Sequence, residues 1–247
     1  MQTIYILWLR QIKRYLRSKS RVFGSLAQPL FFLLALGLGF GPVFAKAGQG
    51  NYIQFLVPGI IGMTIIFTSI FSGMEIIWDR QFGFLKETLV APVSRFNIMI
   101  GRTFGGATVA TLQGTIVLLL SLFAGFRPFS LALVPITILV MFLSALLFTA
   151  MGTMIASNLN DMQGFQLIMN FLVMPLFFLS GAIFPLTDTG VLSTIAKFDP
   201  LSYSVDALRH LLSNINNFGI GTDILILSVI TFIFLGLGSY FFSKIQI

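Results

Sequence analysis

The chain has 247 residues, of which 56% are apolar and only 9% charged, against roughly 45–50% and about 25% in a soluble domain. Such a chain cannot cover itself with water-compatible surface, so a soluble enzyme is excluded and one integral membrane domain over residues 1–247 is expected. The net charge of +7 does not point to nucleic acid, because the cations cluster directly ahead of an apolar run, where they act as a topology signal.

In chain order, Arg10, Lys13, Arg14, Arg17, Lys19 and Arg21 come first, six of the fifteen basic residues, with no acid before position 22. Arg10, Lys13, Arg14 and Arg17 follow i, i+3, i+4, i+7 spacing, which stacks them on one helix face. Ile4, Trp8, Ile12 and Tyr15 fall mainly on the other. The pattern predicts an amphipathic helix in the membrane interface with its cations toward anionic headgroups; a plain basic topogenic tail is the alternative. The apolar run that follows is too long for a signal peptide, so no cleavage is expected.

Six stretches are long and apolar enough to span a bilayer: about 22–44, 52–77, 97–125, 129–156, 164–184 and 223–243. With the N-terminus inside, eleven Lys and Arg fall on the cytoplasmic side, including Arg80, Lys86, Arg95, Arg102 and Lys244. Four fall on the other: Lys46, Arg127, Lys197 and Arg209. The excess places both termini in the cytoplasm of a multi-pass cell-membrane protein. There is no cysteine, which removes disulfides and thiolate metal sites, and no metal ligand set is read anywhere.

Two connections are more than simple loops. In the stretch from Asp79 to Arg102, Phe82, Leu85 and Leu89 lie at i, i+3, i+7, which predicts a short amphipathic helix over 79–90. Pro92 ends it, and Ser94 caps the next helix. Such a helix suits a groove on a partner protein; a helix lying on lipid is the alternative. The second connection, 181–222, is long and apolar, with GAIFPL around Pro185. Asp199 and Pro200 form an N-cap and first turn for a helix through Leu212. It reads as a pair of re-entrant helices before the last span, or as an interfacial cap. Glu75, at the edge of the second span, needs a partner or water; Arg102, the N-terminal cations and the interface itself are all open to it.

The run DRQFGFLKETLVAPVSR, the run DPLSYSVDALR and the spacing of the six spans resemble the type-2 ABC exporter permease family across essentially the whole chain. Asp199 stands where Asn is common in that family. The resemblance implies an all-α integral membrane fold with six transmembrane helices, the N-terminal interfacial helix, a cytoplasmic coupling helix and outer re-entrant helices. It implies that Asp79 to Val90 is the coupling helix, resting in a cleft of a separate ABC ATP-binding subunit. Arg80, Lys86 and Glu87 would be its polar contacts, Phe82, Phe84 and Leu85 its apolar ones, and Gly83, Leu89, Pro92 and Arg95 would complete the motif. In the outer segment it carries over Asp199, Pro200, Tyr203 and Arg209. A second copy or a related permease and membrane lipids complete the partners, with ATP and magnesium bound on the ATPase and no cofactor on this chain.

No G-x-x-x-x-G-K-S/T phosphate loop occurs, so the chain carries no ATPase site of that kind. Apart from Glu75 at an edge, no acid or histidine stands in the middle of a span, which argues against ion coupling. His210, the only histidine, reads as a helix-surface residue. Gly101 and Gly105 form a G-x-x-x-G pair of little weight among 23 glycines. The scarcity of polar groups in the spans favours a small hydrophobic cargo, with Phe177, Phe178 and Phe184 available to line its path. A lipid-linked or polysaccharide cargo, an ATPase-independent channel or carrier, and a membrane scaffold are the alternatives.

Overall fold

A computed structural model describes residues 2–46, 51–90, 92–185 and 190–245, and all regular structure among them is helical. The helices are α1 (Gln2–Arg17), α2 (Lys19–Lys46), α3 (Tyr52–Ser72), α4 (Met74–Gln81), α5 (Phe84–Val90), α6 (Arg95–Phe123), α7 (Val134–Ser157), α8 (Met162–Leu179), α9 (Val191–Ala196), α10 (Pro200–Ser213) and α11 (Ile220–Ser243). Six of these units are long and apolar enough to cross a membrane, with α3 and α4 counting as one. They fall where the six apolar stretches were placed.

The bundle is built around α3, which packs on α2, α6, α7 and α10. It is the most deeply buried span, with Leu56, Ile60, Ile61, Ile65 and Ile66 all inaccessible. Asn51 caps its start by accepting from the Ile53 amide at 3.0 Å. At Gly73 the backbone keeps helical angles, so α4 continues the same span. Together they run 30 residues, about 45 Å of helix at 1.5 Å per residue, against a hydrocarbon core of roughly 30 Å. The surplus of about 15 Å is enough to carry α4 and its acids beyond a hydrocarbon core of that thickness.

The helix expected over 79–90 is in fact two. Gly83 takes φ of 81°, a conformation glycine adopts at little cost, and this corner ends α4 and starts α5. Asp79 and Arg80 therefore belong to the end of a span, and only 84–90 form the separate short helix. Beyond Pro92, Ser94 accepts from the Asn97 amide at 3.2 Å and caps α6 as expected.

The N-terminal helix forms as expected and is docked on the bundle. It lies against α6 with Leu7, Gln11 and Tyr15 buried, and Trp8 donates to the Thr108 hydroxyl at 2.9 Å. Gly101 and Gly105 are its seat: a Cβ on Gly105 would fall 2.6 Å from Gln11 Cγ, and one on Gly101 would fall 3.0 Å from the Ile4 carbonyl oxygen. The G-x-x-x-G pair thus has the close-packing role such pairs allow. The end of α11 lies beside the start of α6, where Arg95 donates to the Ser243 and Ile245 carbonyls at 2.6 and 2.8 Å.

In the naturally cysteine-free chain, Gly105→Leu should detach α1, an overpacking cost of about 1–3 kcal/mol. A cysteine placed at Leu7 should then react with a hydrophilic maleimide, while the same cysteine in the parent protein stays protected.

Candidate functional site

Glu75 and Asp79 lie one helical turn apart on α4, and so share a face. Both are buried, as is Arg102 on α6. Asp79 collects two guanidiniums: Arg10 of α1 donates to both carboxylate oxygens at 3.1 Å, and Arg102 donates to Oδ2 at 2.5 Å. Arg14 lies 3.5 Å from Glu75 and 4.0 Å from Asp79. Two of the four stacked cations of α1 thus turn inward to carboxylates, while Lys13 and Arg17 stay exposed. Arg102, one of the partners considered for Glu75, is hydrogen-bonded to Asp79 and is close enough to Glu75 to be attracted by it. A buried carboxylate is tolerable only when paired and hydrogen-bonded, and here the pairing draws α1, α4 and α6 together.

The short helix α5 hangs on the same cluster. The Arg10 guanidinium stacks on the Phe84 ring at 3.8 Å, a cation–π contact, and Leu85 is buried. The rest of α5 faces outward: Lys86, Glu87 and Val90 are exposed, as is Phe82 just before it, while Phe84 and Leu89 are half-buried. Of the other predicted contact residues, Arg80 is used internally. It donates to the Asn160 side chain at 2.6 Å and to the Leu159 carbonyl at 3.2 Å, tying α4 to the α7–α8 turn. Arg95 holds the C-terminus, and Pro92 is exposed beyond α5.

At the opposite end, α10 opens as the sequence predicts, with Asp199 accepting from the Leu201 amide at 2.8 Å and Pro200 in the first turn. It closes on Asn214 in the left-handed conformation. Most of α10 is buried against α3, α7 and α11. Arg209 is among its buried residues, donating to the Gly181 carbonyl at 3.1 Å and stacking on Phe55 at 3.9 Å. Burial pushes its pKa down to about 10, still cationic at neutral pH. The Tyr203 hydroxyl donates to the Lys197 carbonyl at 2.6 Å. Pro185 is exposed, and residues 186–189 of the predicted outer segment lie outside the described residues.

Two acids here were not singled out in the sequence. Asp206 accepts from the Asn217 and Phe218 amides at 2.9 and 2.8 Å, and Asp223 is fully buried in the first turn of α11. An acid opening an apolar span was the available signal. Among the described residues no group of His, Cys, Asp and Glu is arranged to hold a metal ion.

Asp79→Asn would leave Arg102 buried without its carboxylate, so a loss of about 3–5 kcal/mol is expected. Adding Arg102→Met should restore much of it, as read by thermal unfolding in detergent. Burial raises the Asp199 pKa to about 7, well above its unfolded value. The folded state therefore resists ionisation, and stability should fall as pH rises from about 4 through 7. Asp199→Asn keeps the cap without the charge and should flatten that part of the profile.

A family model described as "ABC-2 type transporter" matches residues 2–213. Among curated relatives, a putative transport permease from Cyanophora paradoxa is 30% identical over 87% of this chain and 75% of its own length. The inner membrane transport permease YadH of Escherichia coli is 25% identical over 92% and 90%. Nodulation protein J of Rhizobium leguminosarum bv. trifolii is 25% identical over 84% and 78%. With its six spans, the chain therefore belongs to the ABC-2 type transporter membrane family, as a multi-pass permease subunit.

Proposed function

We propose that this chain is the pathway half of an ATP-driven exporter in the cell membrane, moving a hydrophobic or amphipathic compound, such as a drug, an antibiotic or a lipid-like molecule, out of the cytoplasm. ATP and magnesium are bound by a separate ATP-binding subunit. The excess of basic residues around α1, α4 to α6 and the C-terminus supports an orientation with both termini cytoplasmic. A second copy or a related permease completes the pathway. Exposed apolar residues such as Phe31 and Leu38 of α2 and Phe171 of α8 are available to that partner or to lipid. On this orientation α9 and α10 form a re-entrant cap at the outer mouth.

The observation that carries the reading is α5. It is a short helix at the basic end, anchored inward by Leu85 and the Arg10–Phe84 stack, with Phe82, Lys86, Glu87 and Val90 left exposed. A helix docked in a partner cleft needs this division between an anchored and a presented face. When ATP closes the two partner subunits, α5 moves with them. The corner at Gly83 and the Asp79 cluster pass that displacement to α4, α6 and α1, and the paired permeases open outward.

Glu87→Lys should weaken ATPase co-purification about tenfold, or ~1.4 kcal/mol, and abolish ATP-dependent transport in proteoliposomes while membrane insertion stays normal. Unchanged association and transport would remove α5 from the coupling role. Substrate movement by the chain reconstituted alone would replace the exporter reading with that of a channel or carrier.

A further inference from the structure

A partly enclosed cavity of about 230 Å³ lies between α1, α2, α3 and α6, next to the charge cluster. Its polar walls come from Gln11, Tyr15, Ser25, Thr68, Glu75 and Gln113, and Phe71 supplies an aromatic face. Gln113 organises them: its amide nitrogen donates to Ser25 Oγ at 2.7 Å, and its amide oxygen accepts from the Thr68 hydroxyl. Tyr15 is 98% buried by the same helix packing that seats α1, yet its hydroxyl has no hydrogen-bond partner. A buried hydroxyl without a partner is costly, and here it belongs to a residue that lines an open space.

Size and charge narrow the occupant. Whole drug-sized ligands occupy roughly 300–1,000 Å³, so this space takes a head group and not an entire molecule. No Lys or Arg lines it, so an anionic head would find no cationic partner in its walls. Arg14 stands 3.5 Å from that carboxylate, so a cationic head would compete with a charge already in place. What remains is an uncharged group whose hydroxyls both donate and accept, matching amide and hydroxyl walls, with one apolar side for Phe71.

We propose that this cavity binds the uncharged, hydroxyl-bearing head of an amphipathic molecule, a polyol or sugar ring, whose apolar tail stays among the lipids. The site rests on the transport reading above only in taking that molecule to be cargo. It also modifies the expectation of a purely hydrophobic cargo, since the polar groups sparse along the spans are gathered here.

The test is photolabelling of the full chain in lipid nanodiscs with a diazirine-bearing alkyl glucoside. Labelled peptides should contain residues 68–75 and 106–113, and octyl glucoside should compete, whereas octyl phosphate and octylammonium should not. Tyr15→Phe should reduce labelling about fivefold, the effect of one hydrogen bond, with a thermal midpoint that does not fall, because the lost hydroxyl has no partner among the described residues. Gln113→Leu should abolish it. Labelling elsewhere, equal competition by the charged amphiphiles, or a Tyr15→Phe protein labelled as strongly as its parent would overturn the site. Labelling undiminished when ATP turnover with the partner ATPase precedes photolysis would overturn its role as a cargo site. None of the labelling arms uses the ATPase, so failure of the coupling role of α5 leaves them intact.

Discussion

Asp79 is buried near the end of the second span, and a carboxylate there has to be paired. The two guanidiniums that satisfy it come from helices far apart in sequence, Arg10 of α1 and Arg102 of α6. A buried ion pair adds little net stability when compared with well-packed apolar side chains, but breaking one is expensive. Its effect here is on arrangement: α1, α4 and α6 cannot separate at this end without stranding a charge. Through the Phe84 stack, α5 is tied to the same point.

The opposite end is held by a different device. There the irregular segment after α8 is fastened by long-range donors to backbone carbonyls: Arg209 to Gly181 and Tyr52 to Ile183. Carbonyls of non-helical backbone in an apolar setting need such partners. The structure thus has a charge-paired end and a carbonyl-clamped end, joined by the apolar packing of α3.

The spans were legible because composition and length alone define them, and the caps at Ser94 and Asp199 because their chemistry is local. Asp79 and Arg80 were misplaced because the period of Phe82, Leu85 and Leu89 runs through Gly83 without interruption; only its positive φ breaks the helix, and a glycine in a sequence does not announce its conformation. Arg10 and Arg14 were expected at headgroups because periodicity shows that they share a face but not what that face meets. The pairing of Glu75 with Arg14, and the role of Gly105, depend on contacts between segments separated by many residues. The cavity walls were the least legible, since Tyr15, Ser25, Thr68 and Gln113 are unremarkable one at a time and acquire meaning only when four helices bring them together.

The distance in sequence between Arg10 and its acid has a consequence for synthesis. The carboxylate lies 69 residues downstream, and the glycine seat of α1 lies further still. While the chain is being made, α1 therefore emerges with neither its ion-pair partner nor its docking face, and lipid phosphates are the anions nearest to its cations. Pairing of Arg10 and Arg14 with Asp79 and Glu75 on a docked α1 therefore has to wait for α6, the third of the six spans.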